Sequence, residues 1–505
     1  MRLFNLQKAP QLKPSVAALR GVQEPPLPNM NLRDAKHAYE IRTRREFLAM
    51  GAGGLAVLAL GNMMVWGAPL DEATSPPNLV LCMTDDQGWG DVSYNGLKAC
   101  KTPCLDAMAA AGLRLDRFYA AAPVCSPTRG SFLTGRHPYR YGIFRPSLPL
   151  RIEEQTIAQA AKQAGYATGH FGKWHLNGVD NSGKVIAAND PLHPGRFGFD
   201  EWLSAPNYFD LNWTLSRQGQ PERFTGDGSD YIAGEAIKFM DRARKQGKPF
   251  LAVVWFGNPH EPHRALEEDT AAAGGSAYYG EIVAIDRAMG TLREALRRSG
   301  IADNTLLLFC SDNGPSTRSA QGSTGSLRGR KTTLWEGGVR VPGIIEWPAR
   351  IQAGSRSSVP VCTSDIYPTI VEMLGVTMPG QNLPLDGISL LPLVDGRMTE
   401  RGKGIGFWHS STTPQSPRER SGGVPFDEVV DTEKVGGQMT WTEDRYKLYR
   451  MADGKYELYD LSADLAESRD LAAERPETVE RMKAELGAWH QSVLRSLRRE
   501  DYLRD

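Results

Sequence analysis

Apolar and polar positions follow two alternating rhythms between Pro77 and about Val394. "NLVLCMTDDQGWGD", "KPFLAVVWFGNPH" and "NTLLLFCSDNG" each carry a short, continuously apolar run that stops at polar residues. Uninterrupted runs of this length predict strands buried on both faces, as in parallel sheets. "YIAGEAIKFMDRARKQG" and "YYGEIVAIDRAMGTLREALRRSG" instead repeat apolar residues every three or four positions, place basic residues late and end on glycine. That spacing predicts amphipathic helices with a dedicated stop. "EQTIAQAAKQAG" before "YATGHFGKWH" repeats the order of helix then strand. The alternation predicts an α/β domain over residues 76–395, a large central mixed, mostly parallel sheet sandwiched by helices. Ligands of such sheets lie beyond the carboxyl ends of the strands, where Asp85, Asp86, His260, Asp312 and Asn313 fall.

Past Val394 the rhythm changes. A polar loop from Ser410 to Gly423 precedes "RYKLYRMADGKYELYDL", two alternating segments around Asp453-Gly454 that predict a hairpin, and a long helix from about Pro476 to Arg499 closes the chain. Residues 396–505 are therefore expected to form a smaller antiparallel-sheet-plus-helix domain. At the other end, "TRREFLAMGAGGLAVLALG" sets Arg44 and Arg45 before a Gly- and Ala-rich apolar stretch, the pattern of a twin-arginine export signal. Its glycines and Asn62 leave it short of the ~20 strongly hydrophobic residues of a membrane span. Residues 1–75 are thus expected to be an extension that engages the twin-arginine export machinery, with cleavage between about Trp66 and Ser75 and a periplasmic or secreted product. The arginines lie far from Met1, which leaves Met30 as an alternative start.

Lys+Arg and Asp+Glu both number 59, so no basic field is available to hold nucleic acid. A small ligand, or a neutral-to-anionic polymer held at a local site, suits this balance better. The cysteines are scattered, which excludes a small disulfide scaffold. Cys82 and Cys310 sit inside apolar runs and read as small hydrophobes. Cys100 and Cys104 are close enough for a local disulfide in an oxidising compartment and equally readable as free thiols. Cys125, in "PVCSPTRGSFLTGR", has neither a second cysteine at metal-ligand spacing nor a close partner for a staple. Its presence asks for a third chemistry.

The order of motifs supplies one. Cys125, Pro127 and Arg129 form a Cys-x-Pro-x-Arg signature that continues through Leu133-Thr134-Gly135-Arg136, and a second signature is "GYATGHFGKWH", Gly165 to His175. With "TDDQGWGD", "NPHEPH", "SDNG", "RGRKTTLWEGGVRVP", "LDGISL" and "ELYDLSAD", the chain from about Pro77 to Leu471 resembles the type I sulfatase family of the alkaline-phosphatase-like superfamily. Thr128 stands where serine is frequent, and Phe171 is bulkier than the small aliphatic residue usual at its place.

The resemblance implies that Cys125 is a precursor, oxidised by a formylglycine-generating enzyme to an aldehyde whose hydrate attacks sulfur. An ordinary alcohol would be left as a stable sulfate ester, whereas a geminal diol keeps a second hydroxyl whose deprotonation expels sulfate. Asp85, Asp86, Asp312 and Asn313, with residue 125, match the family's metal ligands. An all-oxygen set suits a hard divalent ion, Ca2+ first and Mg2+ second, and disfavours zinc. By similarity, Arg129 and Lys173 hold the formylglycine and balance the carboxylates. His175 is the base that releases sulfate. His260 and Lys331 bind sulfate oxygens, and one of them protonates the leaving group. Trp89, His137, His263 and Tyr278 are further candidates for the cleft, while Trp335, Trp347, Trp408 and Trp441 read as core or interface aromatics. The expected activity is hydrolysis of sulfate monoesters, of a sulfated carbohydrate or an aryl alcohol. The rival readings are a phosphate or phosphonate monoester hydrolase and a non-catalytic carbohydrate-binding homologue.

Overall fold

In the computed structural model, which describes residues 76–179, 183–378, 383–409 and 436–502, five parallel strands form the centre of a ten-stranded sheet. They are β1 (Asn78–Thr84), β2 (Ala167–Lys173), β3 (Glu201–Ala205), β4 (Phe250–Trp255) and β5 (Thr305–Ser311), lying side by side in the order β5-β1-β4-β2-β3. Antiparallel strands extend both edges: Gly343–Glu346 pairs with β5, and Thr214–Arg217 with β3, followed by Gln220–Arg223. Every residue of β1, β4 and β5 is buried, because helices cover both faces. Along β1 the side chains alternate: Leu79, Leu81 and Met83 enter one core, Val80 and Cys82 the other.

Helices α1 (Pro103–Ala111), α2 (Cys125–Thr134), α3 (Ile157–Gln163), α4 (Gly228–Lys245) and α5 (Ala277–Arg298) supply these covers. Ile232 and Phe239 of α4 and Ile285 and Leu292 of α5 pack on one face, and Phe132 of α2 and Ile157 of α3 on the other. The expected α4 and α5 form because their apolar residues line one stripe, and Asp227 and Ser276 cap their first turns. A capping box of Thr156 and Gln159 starts α3. Phe171, buried in β2 against Phe239, finds its space two residues back. A Cβ on Gly169 would lie 2.8 Å from the Phe171 ring and 3.0 Å from Phe239.

The C-terminal part holds an antiparallel meander of β6 (Ile405–His409), β7 (Gln438–Thr442), β8 (Tyr446–Arg450) and β9 (Tyr456–Asp460). The β8–β9 hairpin turns at Asp453-Gly454, where Gly454 takes φ 86°. Helix α6 (Pro476–Leu497) closes the chain and seats Met482, Leu486 and Val493 in the same core as Leu79 and Trp408. Cys82 and Cys310 are buried thiols, and Cys100 and Cys104 are free rather than paired. The export signal and the polar loop from Ser410 to Gly423 lie outside the described residues. Among the described residues no helix is long and apolar enough to cross a membrane.

Candidate active site

Strand register brings the site together. Thr84 of β1 is level with Ser311 of β5, and Gly172 of β2 with Trp255 of β4, so the residues that follow leave the sheet together at the carboxyl ends of its central strands. Asp85 and Asp86 come from β1, Lys173 and His175 from β2, His260 from the loop after β4, and Asp312 and Asn313 from β5. Cys125 joins them as the first residue of α2, after an extended Val124. Its Sγ stands 3.4 Å from Asp85 Oδ1, 3.9 Å from Asp86 Oδ1 and 3.5 Å from Lys331 Nζ.

Cations interleave with the carboxylates. Lys173 Nζ donates to Asp85 Oδ2 at 2.6 Å, Arg129 Nη2 to Asp312 Oδ2 at 2.7 Å, and Lys331 Nζ to Asp86 Oδ1 at 2.6 Å. Arg129 is also 3.8 Å from Asp85 and lies over the Trp255 ring at 5.1 Å. Burial works to raise the Asp85 carboxyl, yet Lys173, His260, Arg129 and Lys331 together hold it well below the usual range. Asp86 is likewise burdened by burial and lowered by Lys331 and His260. Asp312 is pushed up to about 7 by burial and the charge of Asp85, against Arg129. Burial raises the Cys125 thiol despite Lys173 and Lys331. As encoded, it is a protonated and therefore weak nucleophile.

Burial lowers the pKa of both histidines. Burial, then Lys173 and Arg129, keeps His175 well below the ordinary histidine value, and burial outweighs Asp85 and Asp86 at His260. Ser147 Oγ lies 2.8 Å from His175 Nε2, while the buried His175 Nδ1 has no hydrogen-bond partner among the described residues. His260 donates from Nδ1 to the Glu261 carbonyl at 2.6 Å, which points Nε2 toward Asp86 Oδ2 at 4.0 Å. Tyr208 stacks on its ring at 5.0 Å and 10°.

The donor set fits a cation. Asp85, Asp86, Cys125 and Asp312 each present a ligand atom, all within 4.8 Å of one another. Asn313 donates from Nδ2 to Asp86 at 2.6 Å, and its buried Oδ1 has no hydrogen-bond partner among the described residues. Carboxylate and amide oxygens in this number suit a hard ion of the alkaline-earth type. Charge argues the same way, because Arg129, Lys173 and Lys331 match three carboxylates one for one. An anionic ester would meet a neutral cluster unless a divalent ion were added.

All ten candidate residues, Asp85, Asp86, Cys125, Arg129, Lys173, His175, His260, Asp312, Asn313 and Lys331, meet in this place. Other candidates do not. His137 is buried, caps the turn Pro138–Tyr141 and packs edge-on against Trp489 at 4.9 Å. Tyr278 is buried with its hydroxyl donated to Asp91 at 2.6 Å. His263 faces the buried Glu281 at 3.5 Å. Trp89 lies beneath Arg340, 5.3 Å from its guanidinium carbon, and against Gly325. Of their polar atoms the Tyr278 hydroxyl is hydrogen-bonded by the scaffold, whereas Trp89 Nε1, His137 Nε2 and both ring nitrogens of His263 are buried without a hydrogen-bond partner among the described residues. Ser147 and Tyr208 were not legible, since each sits in a loop without a motif and reaches its histidine only through the fold. A recess of about 1010 Å³ between Lys98–Cys104 and α5 shares no residue with the cluster.

The Sulfatase family profile matches residues 77–376. The chain is 32% identical over 384 residues to N-acetylgalactosamine-6-sulfatase of Mus musculus, covering 69% of this chain and 71% of that protein. It is 33% identical over 373 residues to arylsulfatase A of Homo sapiens, covering 66% and 71%. Among solved structures, Ps i-CgsB in complex with k-i-k-neocarrahexaose superposes with a TM-score of 0.72 at 25% identity, covering 83% of this chain and 93% of that one. A carboxylate cluster at the carboxyl ends of β1 and β5, a helix-initiating cysteine inside it, and these similarities lead to one conclusion: the chain belongs to the sulfatase family, within the alkaline-phosphatase-like superfamily, and is a sulfuric ester hydrolase.

Proposed function

We propose that the protein hydrolyses sulfate monoesters of a sulfated carbohydrate, using a formylglycine made from Cys125 by a formylglycine-generating enzyme, with Ca2+, or Mg2+ in its place, and that it works after export through the twin-arginine route. The observation that carries the reading is Cys125 itself. Its thiol is buried and raised, yet it contacts Asp85 and Lys331 at the centre of the charged cluster. A residue useless there as a thiol is well placed as the precursor of another group. The related N-acetylgalactosamine-6-sulfatase and the carbohydrate complex of Ps i-CgsB support a sugar substrate.

The overall reaction takes an ester and one water to an alcohol and hydrogensulfate, with the ester's S–O bond broken. A hydrated aldehyde at residue 125 supplies one hydroxyl to attack sulfur and a second whose proton can be removed to release sulfate. Asp85, Asp86, Asp312 and Asn313 would hold the cation, whose chemistry is to neutralise the ester's charge and polarise its oxygens. Arg129 and Lys173 fix the carboxylates through the contacts described above. His175, neutral and with a buried nitrogen unpartnered among the described residues, accepts the proton of the second hydroxyl. Lys331 and His260, both against Asp86, face the ester's oxygens, and one of them protonates the departing alcohol.

A sulfate monoester carries one negative charge fewer than a phosphate monoester, so paired substrates with one leaving group separate the two chemistries. With 4-nitrophenyl sulfate and 4-nitrophenyl phosphate, kcat/KM is expected to favour the sulfate. A clear preference for the phosphate would assign the protein to phosphate or phosphonate ester hydrolysis instead.

A further inference from the structure

Tyr208, stacked on His260, also meets the Trp213 ring at 5.8 Å and 51°. Trp213 in turn lines an open recess of about 510 Å³ that it shares with Asn212, Thr214, Arg223 and Arg264. The recess thus begins two ring contacts from a histidine of the cluster. Its floor is held by the sheet edge: Thr214 pairs with Arg223, and Phe224 N donates to the Trp213 carbonyl at 3.0 Å. Arg264 arrives from the same loop as His260, with its backbone N tied to the buried Glu281.

The charge of the recess is unbalanced. Arg217, on the same strand as Thr214, is paired with Glu222 and Glu235. The acid that feels Arg264 is Asp210, beside Leu211 of the recess, whose carboxyl is pushed up to about 8 by burial and Glu281 although Arg264 lowers it. Among the described residues neither of these two exposed guanidinium groups has an ion-pair partner. An indole wall beside two free guanidinium groups is a surface that recognises an anionic sugar: the ring takes the apolar face of the pyranose, and the planar forks take a sulfate or carboxylate.

We propose that this recess is an accessory subsite that binds an anionic sugar next to the one whose ester is cleaved, and that Trp213, Arg223 and Arg264 thereby select charged oligosaccharides over isolated esters. The proposal rests on the sulfatase reading and extends it from the reacting group to the neighbouring unit. The test is competition. Metal-loaded, aldehyde-bearing full-length enzyme hydrolyses 4-nitrophenyl sulfate while tetrasaccharides compete: chondroitin 6-sulfate, which carries carboxylates and sulfates, carrageenan, which carries sulfates alone, and their desulfated forms. For at least one charged tetrasaccharide, the inhibition constant divided by the Michaelis constant for the aryl sulfate is expected to rise at least tenfold in the Arg223→Ala, Arg264→Ala double variant. Trp213→Ala should raise the same ratio for the same sugar, and added salt should reduce the wild-type advantage. Which sugar responds tells carboxylate from sulfate recognition. A ratio unchanged within twofold for every sugar would overturn the subsite while leaving the sulfatase reading intact. Absence of aryl sulfate turnover in loaded wild type would instead remove that reading, and the subsite with it.

Discussion

Asp86, His175 and Thr332 hold left-handed backbone, with φ of 64°, 55° and 71°, and all three border the cluster, Thr332 as the neighbour of Lys331. Such conformations cost on the order of 1–3 kcal/mol each and persist where the surroundings over-determine them; here they aim a carboxylate, an imidazole and an ammonium at one point. Cys125→Ala is expected to abolish turnover while lowering the unfolding free energy by no more than about 1–3 kcal/mol, since only one small side chain is lost. Rapid-quench kinetics with an activated aryl sulfate would separate the two histidines. His175→Ala should release aryl alcohol in a burst ahead of sulfate, whereas His260→Ala should show no burst, because it impairs the first step. Burst-free, equally slow traces from both variants would show the division of labour to be wrong. The chemistry was legible at this scale because Cys125, Arg129, Lys173 and His175 occur in short motifs whose spacing a helix turn and a strand end then preserve. Ser147 and Tyr208 lay hidden, as their partners are 28 and 52 residues away (175 − 147; 260 − 208) and only folding makes them neighbours.

Lys331 belongs to a segment that the small sheet braces. Lys447 of β8, fully buried, reaches Glu336 Oε1 at 3.1 Å and Glu467 Oε1 at 2.8 Å. Glu467 also accepts from Glu336 N at 2.7 Å, and Tyr119 donates to Glu336 Oε2 at 2.8 Å. Trp335 is clamped between Arg328, 3.6 Å from its centroid, and Tyr449 at 4.3 Å. Removing one partner of a buried ionic network leaves its mate uncompensated, so Lys447→Met should destabilise the fold by about 3–5 kcal/mol. A denaturant midpoint equal to wild type would contradict that brace. Gly169→Ala should cost about 1–3 kcal/mol by overpacking against Phe171 and Phe239, and a coupled Phe171→Val change should recover most of the loss. The central strands could be read from sequence because they are apolar throughout. Their lateral order and the antiparallel edges could not, since Gly343–Glu346 and Gln220–Arg223 carry no pattern of their own. The hairpin of β8 and β9 was visible from its turn, whereas β6 and β7 are joined through residues far apart in sequence and become a sheet only by pairing.

For the molecule as a whole, formal charge is balanced, and so is the cluster of three carboxylates and three cations at its centre. Binding an anionic ester then depends on an added cation. Chelated protein is expected to lose turnover and to regain it with Ca2+ or Mg2+ more fully than with Zn2+, with a rise in melting temperature that follows ion concentration by mass action. Asp85→Asn and Asp312→Asn should weaken both the thermal shift and the rate. Active protein holding two zinc ions and no alkaline-earth ion would favour phosphoesterase chemistry. The proposed chemistry centres on residue 125, whose state a single mass spectrum reports. The peptide spanning Pro123 to Arg129, taken from protein produced with a formylglycine-generating enzyme, is expected to be lighter than the encoded thiol form and to react with a hydrazide, with turnover proportional to the converted fraction. Full turnover from protein whose residue 125 is wholly thiol would contradict it.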